Sequence, residues 1–142
     1  MLTRYLRWLA LIALAENFAV LRLISVRPSV TPDAVSTWQK RERAWSQSTG
    51  VQLSSYKRWQ SLSGFIEARN AIQHGLGNLT DRQLGENRTR VLSQLKSAGV
   101  QLNGGSIELI ESDVERCFLV CCELVRHIDG LAPGPIAKSR RR

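Results

Sequence analysis

Residues 69–74 combine three side-chain types that suit cleavage of an RNA phosphodiester. The segment reads Arg-Asn-Ala-Ile-Gln-His, and two closely spaced glycines follow it. A fixed cation stabilises negative charge on phosphate oxygens, an amide positions neighbouring groups, and an imidazole exchanges protons near neutral pH. We therefore take Arg69 and His74 as candidate catalytic residues, with Asn70 in a supporting role.

Apolar spacing places this segment at the end of a helix that we expect to run from about Ser54 to His74. Steps of three and four residues define its apolar stripe, which consists of Leu62, Phe65, Ala68, Ile72 and Leu76. Glu67, Asn70 and His74 form a second stripe, and Gly75 is placed to end the helix. Glu67 is thus a supporting residue that is expected to fix the tautomer of the imidazole.

Arg69 and His74 are five residues apart, which is about 140° around an ideal helix. The arginine stem, the intervening Asn70 or a second chain must therefore close the gap between them. Two such helices in a homodimer would place two Arg69 and two His74 side chains around one cleft. The alternative from spacing is that Arg69 pairs with Glu67 or another carboxylate and that His74 only caps the helix.

The remaining pattern predicts an all-α protein, an up-and-down bundle of four to five helices. We expect helices over residues 2–26, about 33–47, 54–74, 86–98 and 112–129. The first helix is predicted from apolar residues that recur at helical spacing, namely Leu2, Leu6, Leu9, Ile12 or Ala13, Phe18, Leu21 and Ile24. The predicted organisation is one helical domain over residues 1–132 and a basic, disordered tail over residues 133–142.

The chain of 142 residues carries a net charge of +8, which suits a polyanionic partner. The excess lies in residues 1–60 and in the tail, whereas residues 61–137 hold seven basic and nine acidic residues. Basic side chains that could face RNA are Lys40, Arg41, Arg43, Lys57 and Arg58. A solvated helix face explains the same residues equally well.

The first helix has three interpretations. Arg4 and Arg7 precede an apolar run ending in Ala-Leu-Ala15, which is typical of a signal peptide over residues 1–15. A membrane helix needs about 20 apolar residues, and Glu16 interrupts the run before that length. We favour a core helix of a cytoplasmic protein that has no contact with a membrane.

Cys117, Cys121 and Cys122 lie in one apolar run. Their number is odd and no further ligands follow at metal-site spacing, so we expect core thiols in a reducing compartment. The sequence predicts neither a metal nor another cofactor.

The stretch from Glu67 to Thr80 resembles the signature of the HEPN superfamily, in which Arg, often followed by Asn, precedes His by four to six residues. The Arg-Asn-x-x-x-His-Gly run and the later turn into Ile107-Glu-Leu-Ile resemble the compact stand-alone branch grouped with ribosome-associated and defence proteins. The resemblance covers roughly residues 5–130. One departure is Leu76, because the branch paired with a nucleotidyltransferase antitoxin often has Tyr at that position; control by adenylylation is therefore not expected.

The resemblance implies a helical homodimer with a composite active site and metal-independent endoribonuclease activity. The RNA 2′-hydroxyl attacks, leaving a cyclic phosphate and a 5′-hydroxyl. Arg69 and His74 would be catalytic and Asn70 supporting. Such proteins serve as toxins, in phage defence or in RNA processing, so an antitoxin or a neighbouring defence protein is a candidate partner. The alternative is a non-catalytic HEPN module that binds RNA, a nucleotide or a protein.

Overall fold

The computed structural model describes residues 2–85 and 87–131, and this part of the chain is mostly helical, as predicted. Two short 3-10 turns and one antiparallel hairpin join its helices. The helices are α1 (Leu2–Val26), α2 (Trp38–Thr49), α3 (Trp59–Gly75), α4 (Asp81–Leu84), α5 (Arg88–Ser97) and α6 (Glu111–Leu131). The strands are β1 (Gln101–Asn103) and β2 (Ser106–Glu108).

The contacts divide the chain into two compact units. Of the described residues, those within 2–13 and 58–121 form unit 1, and those within 14–57 and 122–131 form unit 2. Both α1 and α6 contribute to each unit. The predicted boundary at residues 132 and 133, and the basic tail beyond it, lie outside the described residues.

The predicted bounds of α1 are confirmed, but of the residues from 6 to 24 whose spacing predicted it only Ile12 is fully buried. Leu6 and Leu21 are 56% and 64% exposed. The buried apolar residues of α1 are Trp8, Ile12, Ala15, Ala19 and Leu23. Apolar residues surround most of this helix, so periodicity does not single out one face. The side that carries Trp8 is buried, and this large ring packs edge-on against Phe65 with centroids 4.9 Å apart.

Unit 2 is held together by contacts of α2 with the second half of α1. The indole nitrogen of Trp45 donates to the carbonyl of Ala19 at 3.2 Å, and Arg41 pairs with the buried Glu16 at 2.8 Å. The expected helix over 33–47 is split, because Pro32–Val35 forms a 3-10 turn and Thr37 caps α2 by accepting from the N–H of Lys40.

α1 is long and apolar enough, by length and composition, to cross a membrane, over the stretch Thr3–Val26. Core helices of soluble proteins and signal sequences share these properties. The location in the cytoplasm therefore stays a prediction.

The three cysteines are free thiols of α6. Cys117 and Cys121 are buried with their sulfur atoms 4.0 Å apart, and Cys122 is half-buried. The hydrogen bond with Cys121, together with burial, raises the pKa of the Cys117 thiol. The prediction that Cys117 and Cys121 share a helix face in the core is confirmed.

Candidate functional site

The segment 69–74 occupies the last two turns of α3, as the spacing predicts. The helix forms because Leu62, Phe65 and Ala68 give it a continuous buried stripe. Two members of the predicted stripe differ, since Ile72 is half-buried and Leu76 is 94% exposed. α3 ends at Gly75, so Leu76 is no longer in helical register with the stripe.

Leu76, rather than the expected Gly75, takes the left-handed conformation that ends α3. Its φ is 53° and its ψ is 36°, and the N–H of Gly77 donates to the carbonyl of Ala71 at 3.0 Å. Glycine is the usual residue at a left-handed helix end. A leucine in this region carries a conformational cost of about 1–2 kcal/mol.

The loop after His74 is tied to the hairpin of β1 and β2. The N–H of Ile107 donates to the carbonyl of Gly77 at 2.7 Å, and the N–H of Leu79 donates to that of Gly105 at 2.8 Å. The hydroxyl of Ser106 also lies 2.5 Å from the amide oxygen of Asn78. These bonds, on both sides of the turn, hold the end of α3 in one position.

Arg69 and Asn70 are brought together. Nη2 of the guanidinium donates to Oδ1 of Asn70 at 3.3 Å, and both side chains are half-buried. The sequence suggested that Asn70 would orient His74 or bind a phosphate oxygen. In the structure its oxygen positions Arg69, because a bonded guanidinium has fewer rotamers than a free one.

Glu67 has a different partner from the one that the sequence suggested. Nε2 of Gln83 donates to the carboxylate of Glu67 at 2.8 Å and to its backbone carbonyl at 2.9 Å. Gln83 is buried and also completes a capping box with Thr80 at the start of α4. Glu67 therefore links α3 to α4, and within the described residues it makes no bond with the imidazole.

His74 is exposed, one helical turn beyond Asn70. Among residues 2–85 and 87–131, no hydrogen bond or ion pair engages its imidazole. The structure does not bring His74 onto Arg69 within one chain, in agreement with the angle of about 140° between positions five residues apart.

The five basic residues predicted to face RNA are divided between the two units, four in unit 2 and Arg58 in unit 1. Lys40 bonds to Asp33 at 3.4 Å, and Arg41 is engaged by Glu16 and lies over the ring of Trp38. Arg43 and Lys57 are exposed in unit 2. Arg58 precedes the first turn of α3, about 24 Å along the axis from His74 at the usual rise per residue.

Two groups of residues near the site were not predicted from the sequence. Gln83 was overlooked although Thr80-Asp-Arg-Gln83 has the spacing of a capping box. The exposed arginines Arg82, Arg88 and Arg90 were overlooked because only the packing of α5 against α3 relates them to residues 69–74.

Within the described ranges, no group of three His, Cys, Asp or Glu side chains is arranged to hold a metal ion. Comparisons with models of protein families, with curated proteins and with solved structures find no match to this chain.

Proposed function

We propose that this chain is a metal-independent endoribonuclease of the HEPN type. The proposal is carried by one observation. Arg69 is positioned by its bond to Asn70, while the exposed His74 lies at the same helix end with no partner among the described residues. A positioned cation next to an imidazole that is open to solvent is the pair of groups that phosphodiester cleavage requires.

In the proposed reaction, neutral His74 takes the proton of the RNA 2′-hydroxyl. The resulting oxygen attacks the adjacent phosphorus, and the bond from phosphorus to the 5′-oxygen breaks. Arg69 stabilises the charge that develops on the non-bridging oxygens. A protonated His74 of a second copy gives its proton to the leaving 5′-oxygen, so the products are a cyclic phosphate and a 5′-hydroxyl.

The two-copy arrangement is proposed because one chain separates Arg69 and His74 around the helix. A homodimer would place both pairs around one cleft and supply the base and the acid from different copies. Sedimentation should then show a particle of twice the 16.0 kDa of one chain. A monomer that still cleaves RNA would contradict the composite site.

The cellular role that we propose is that of a toxin, a defence protein or an RNA-processing enzyme in the cytoplasm, with an antitoxin or a neighbouring defence protein as its partner. Free thiols favour a reducing compartment. Fractionation of cells that express the full chain tests the location. Recovery with the membranes would contradict it.

A second candidate is a non-catalytic module that binds RNA, a nucleotide or a protein. It is favoured by the modest charge of unit 1, whose sequence holds nine basic and seven acidic residues. Growth arrest on expression, abolished by His74→Ala, separates the enzyme from the module.

The direct test incubates the purified chain with mixed cellular RNA in EDTA. Arg69→Ala and His74→Ala should each reduce cleavage by at least about 100-fold, since each removes a group that acts in the transition state. Asn70→Ala should have a smaller effect, because it only positions Arg69. Circular dichroism must show that all three variants are folded. Equal cleavage by wild type and His74→Ala would refute the proposal.

A further inference from the structure

α5 has an unusual charge pattern among the helices of the described chain. It carries Arg88, Arg90 and Lys96 and no acidic residue, whereas each of the other five contains at least one Asp or Glu. All three cations are exposed. Two arginines also lie in the first turn, where the helix dipole favours anions. This arrangement is unfavourable for the isolated helix and becomes favourable when a polyanion lies against it.

These cations are not used within the described residues. Several basic side chains elsewhere in the described chain are paired: Arg4 and Arg7 with Glu111, Arg41 with Glu16, and Arg116 with Asp113. In contrast, the side chains of Arg82, Arg88, Arg90 and Lys96 bond to no other described residue. Unpaired, exposed guanidinium groups are ready to receive phosphate oxygens without breaking an internal bond.

The packing of α5 places its basic end beside the candidate site. The hydroxyl of Ser61 bonds to the carbonyl of Ser97 at 3.2 Å, and Gly64 lies against Gln94 and Ala98. The two helices therefore run in opposite directions. The register of the Ser61–Ser97 and Gly64–Gln94 contacts, continued along both helices, brings Arg88 level with Asn70, and that of the Gly64–Ala98 contact brings it one turn closer to His74.

The second arginine of α5 follows the same register. Arg90 lies level with Ala68, and because residues two apart project to different sides, Arg88 and Arg90 flank the stripe that packs on α3. Arg82 lies next to Gln83, which is bonded to Glu67. The three arginines are thus grouped at the end of unit 1 that carries residues 69–74.

We propose that Arg82, Arg88 and Arg90 form the phosphate-binding surface that holds the RNA backbone next to Arg69 and His74. This inference rests on the proposed ribonuclease function. The proposed surface differs from the one expected from the sequence, where the candidate RNA-binding residues were basic residues that mostly lie in unit 2. The nearby Asp81 is also exposed, so the surface carries charges of both signs and attracts phosphate groups only at short range.

The test measures binding of a labelled single-stranded RNA oligonucleotide by fluorescence anisotropy at several salt concentrations. The full chain carries His74→Ala so that the RNA stays intact. One variant adds Arg82→Gln, Arg88→Gln and Arg90→Gln. The matched control adds Arg43→Gln, Lys57→Gln and Arg126→Gln, so the change in net charge is equal. These are three exposed cations of unit 2 that pair with no other described residue.

Loss of three phosphate contacts should lower the slope of log affinity against log salt by about 2, and weaken binding about tenfold at low salt. The control should keep the parent slope. Equal binding by the two variants, or a greater loss in the control, would overturn the proposed surface. Circular dichroism of both variants must match the parent.

The same measurements separate this inference from the proposed function. Suppose that the chain with His74 cleaves RNA. If replacing Arg82, Arg88 and Arg90 in that chain changes neither cleavage nor binding, the proposed surface is refuted and the proposed ribonuclease activity is supported. If RNA binds through the three arginines but the chain that retains His74 never cleaves it, the surface stands and the enzyme is refuted. If no RNA binds, both are refuted.

Discussion

The side-chain amide of Gln83 donates to both the carboxylate and the backbone carbonyl of Glu67, at 2.8 and 2.9 Å. Its oxygen accepts from the backbone N–H of Thr80 at 3.0 Å. One buried residue therefore joins the middle of α3 to the first turn of α4. Because Glu67 precedes Arg69 by two residues, this link stabilises the part of α3 that carries the candidate site.

We expect Gln83→Ala to lower the free energy of unfolding by about 1–3 kcal/mol, because it removes the bonds that the buried Gln83 side chain makes to the half-buried Glu67 and Thr80. Urea denaturation measures the change. Gln60→Ala is the matched control, since Gln60 is exposed at the start of the same helix. If Gln83→Ala lowers the free energy of unfolding no more than the control does, the bonds of Gln83 to Glu67 and Thr80 do not contribute to stability.

Gly64 is required for the close approach of α3 and α5. A Cβ atom at this position would lie 2.0 Å from the carbonyl oxygen of Gln94 and 2.7 Å from the Cβ of Ala98. Gly64→Ala should therefore destabilise the protein by about 1–3 kcal/mol, although alanine is the better helix former by about 1 kcal/mol.

Thermal unfolding provides the measurement for this substitution. Gly105→Ala is the control, because nothing lies within 4 Å of its added Cβ and its φ is not positive. The control should be close to neutral. An increase in melting temperature for Gly64→Ala would mean that the two helices are not in backbone contact.

Leu76→Gly should stabilise the protein slightly. Glycine removes the conformational cost of the left-handed region, about 1–2 kcal/mol. It also gives the unfolded chain more conformational entropy, which lowers stability by about 0.5–1 kcal/mol. The free energy of unfolding should therefore rise by about 0.5 kcal/mol. The lost side chain is 94% exposed and contributes little packing. Leu76→Ala keeps the strain and should be neutral in chemical denaturation. Destabilisation by glycine alone would contradict the left-handed conformation.

Glu111 gives a prediction for the dependence of stability on pH. Hydrogen bonding from Arg7, aided by the charge of Arg4, holds the pKa of the Glu111 carboxyl below its usual value. A lowered folded-state pKa contributes stability that is present above the unfolded pKa of about 4.3 and is lost as the pH falls through the folded value.

Glu111→Gln should therefore be less stable than wild type at pH 7, and the difference should vanish in more acidic solution. Urea denaturation across this range measures it. Glu115→Gln is the control, since Glu115 is exposed on the same helix and its side chain bonds to no other described residue. A difference between Glu111→Gln and wild type that stays constant with pH would refute the assignment to this carboxylate.

Local signals were sufficient for the helices themselves. The bounds of α1 and the placement of residues 69–74 near a helix end agree with prediction, and Gly50 ends α2 with φ 74°. Helices depend on bonds between residues four apart and on glycine at left-handed positions, so nearby residues determine them.

The predicted first residues of α3 and α6 are wrong, because the local sequence signals for a helix start are weak there. The start of α3 was placed at Ser54, but Leu53–Ser55 is a separate 3-10 turn and α3 begins at Trp59. The last helix begins at Glu111, where Asp113 accepts from the N–H of Ile110 at 2.9 Å, rather than at the expected capping box of Ser112. Several polar residues compete as caps at such boundaries, and context selects among them.

The tertiary structure alone decided which side of α1 is buried, that Glu67 bonds to Gln83, and that Arg88 lies level with Asn70. Each depends on residues distant in sequence that packing brings together, and many pairings suit the same local pattern. By itself, the sequence determined that the chain is helical and that Arg69, Asn70 and His74 share a helix end. It could not determine which cations near them bond to no other described residue, because ion pairing depends on distances that exist only after folding.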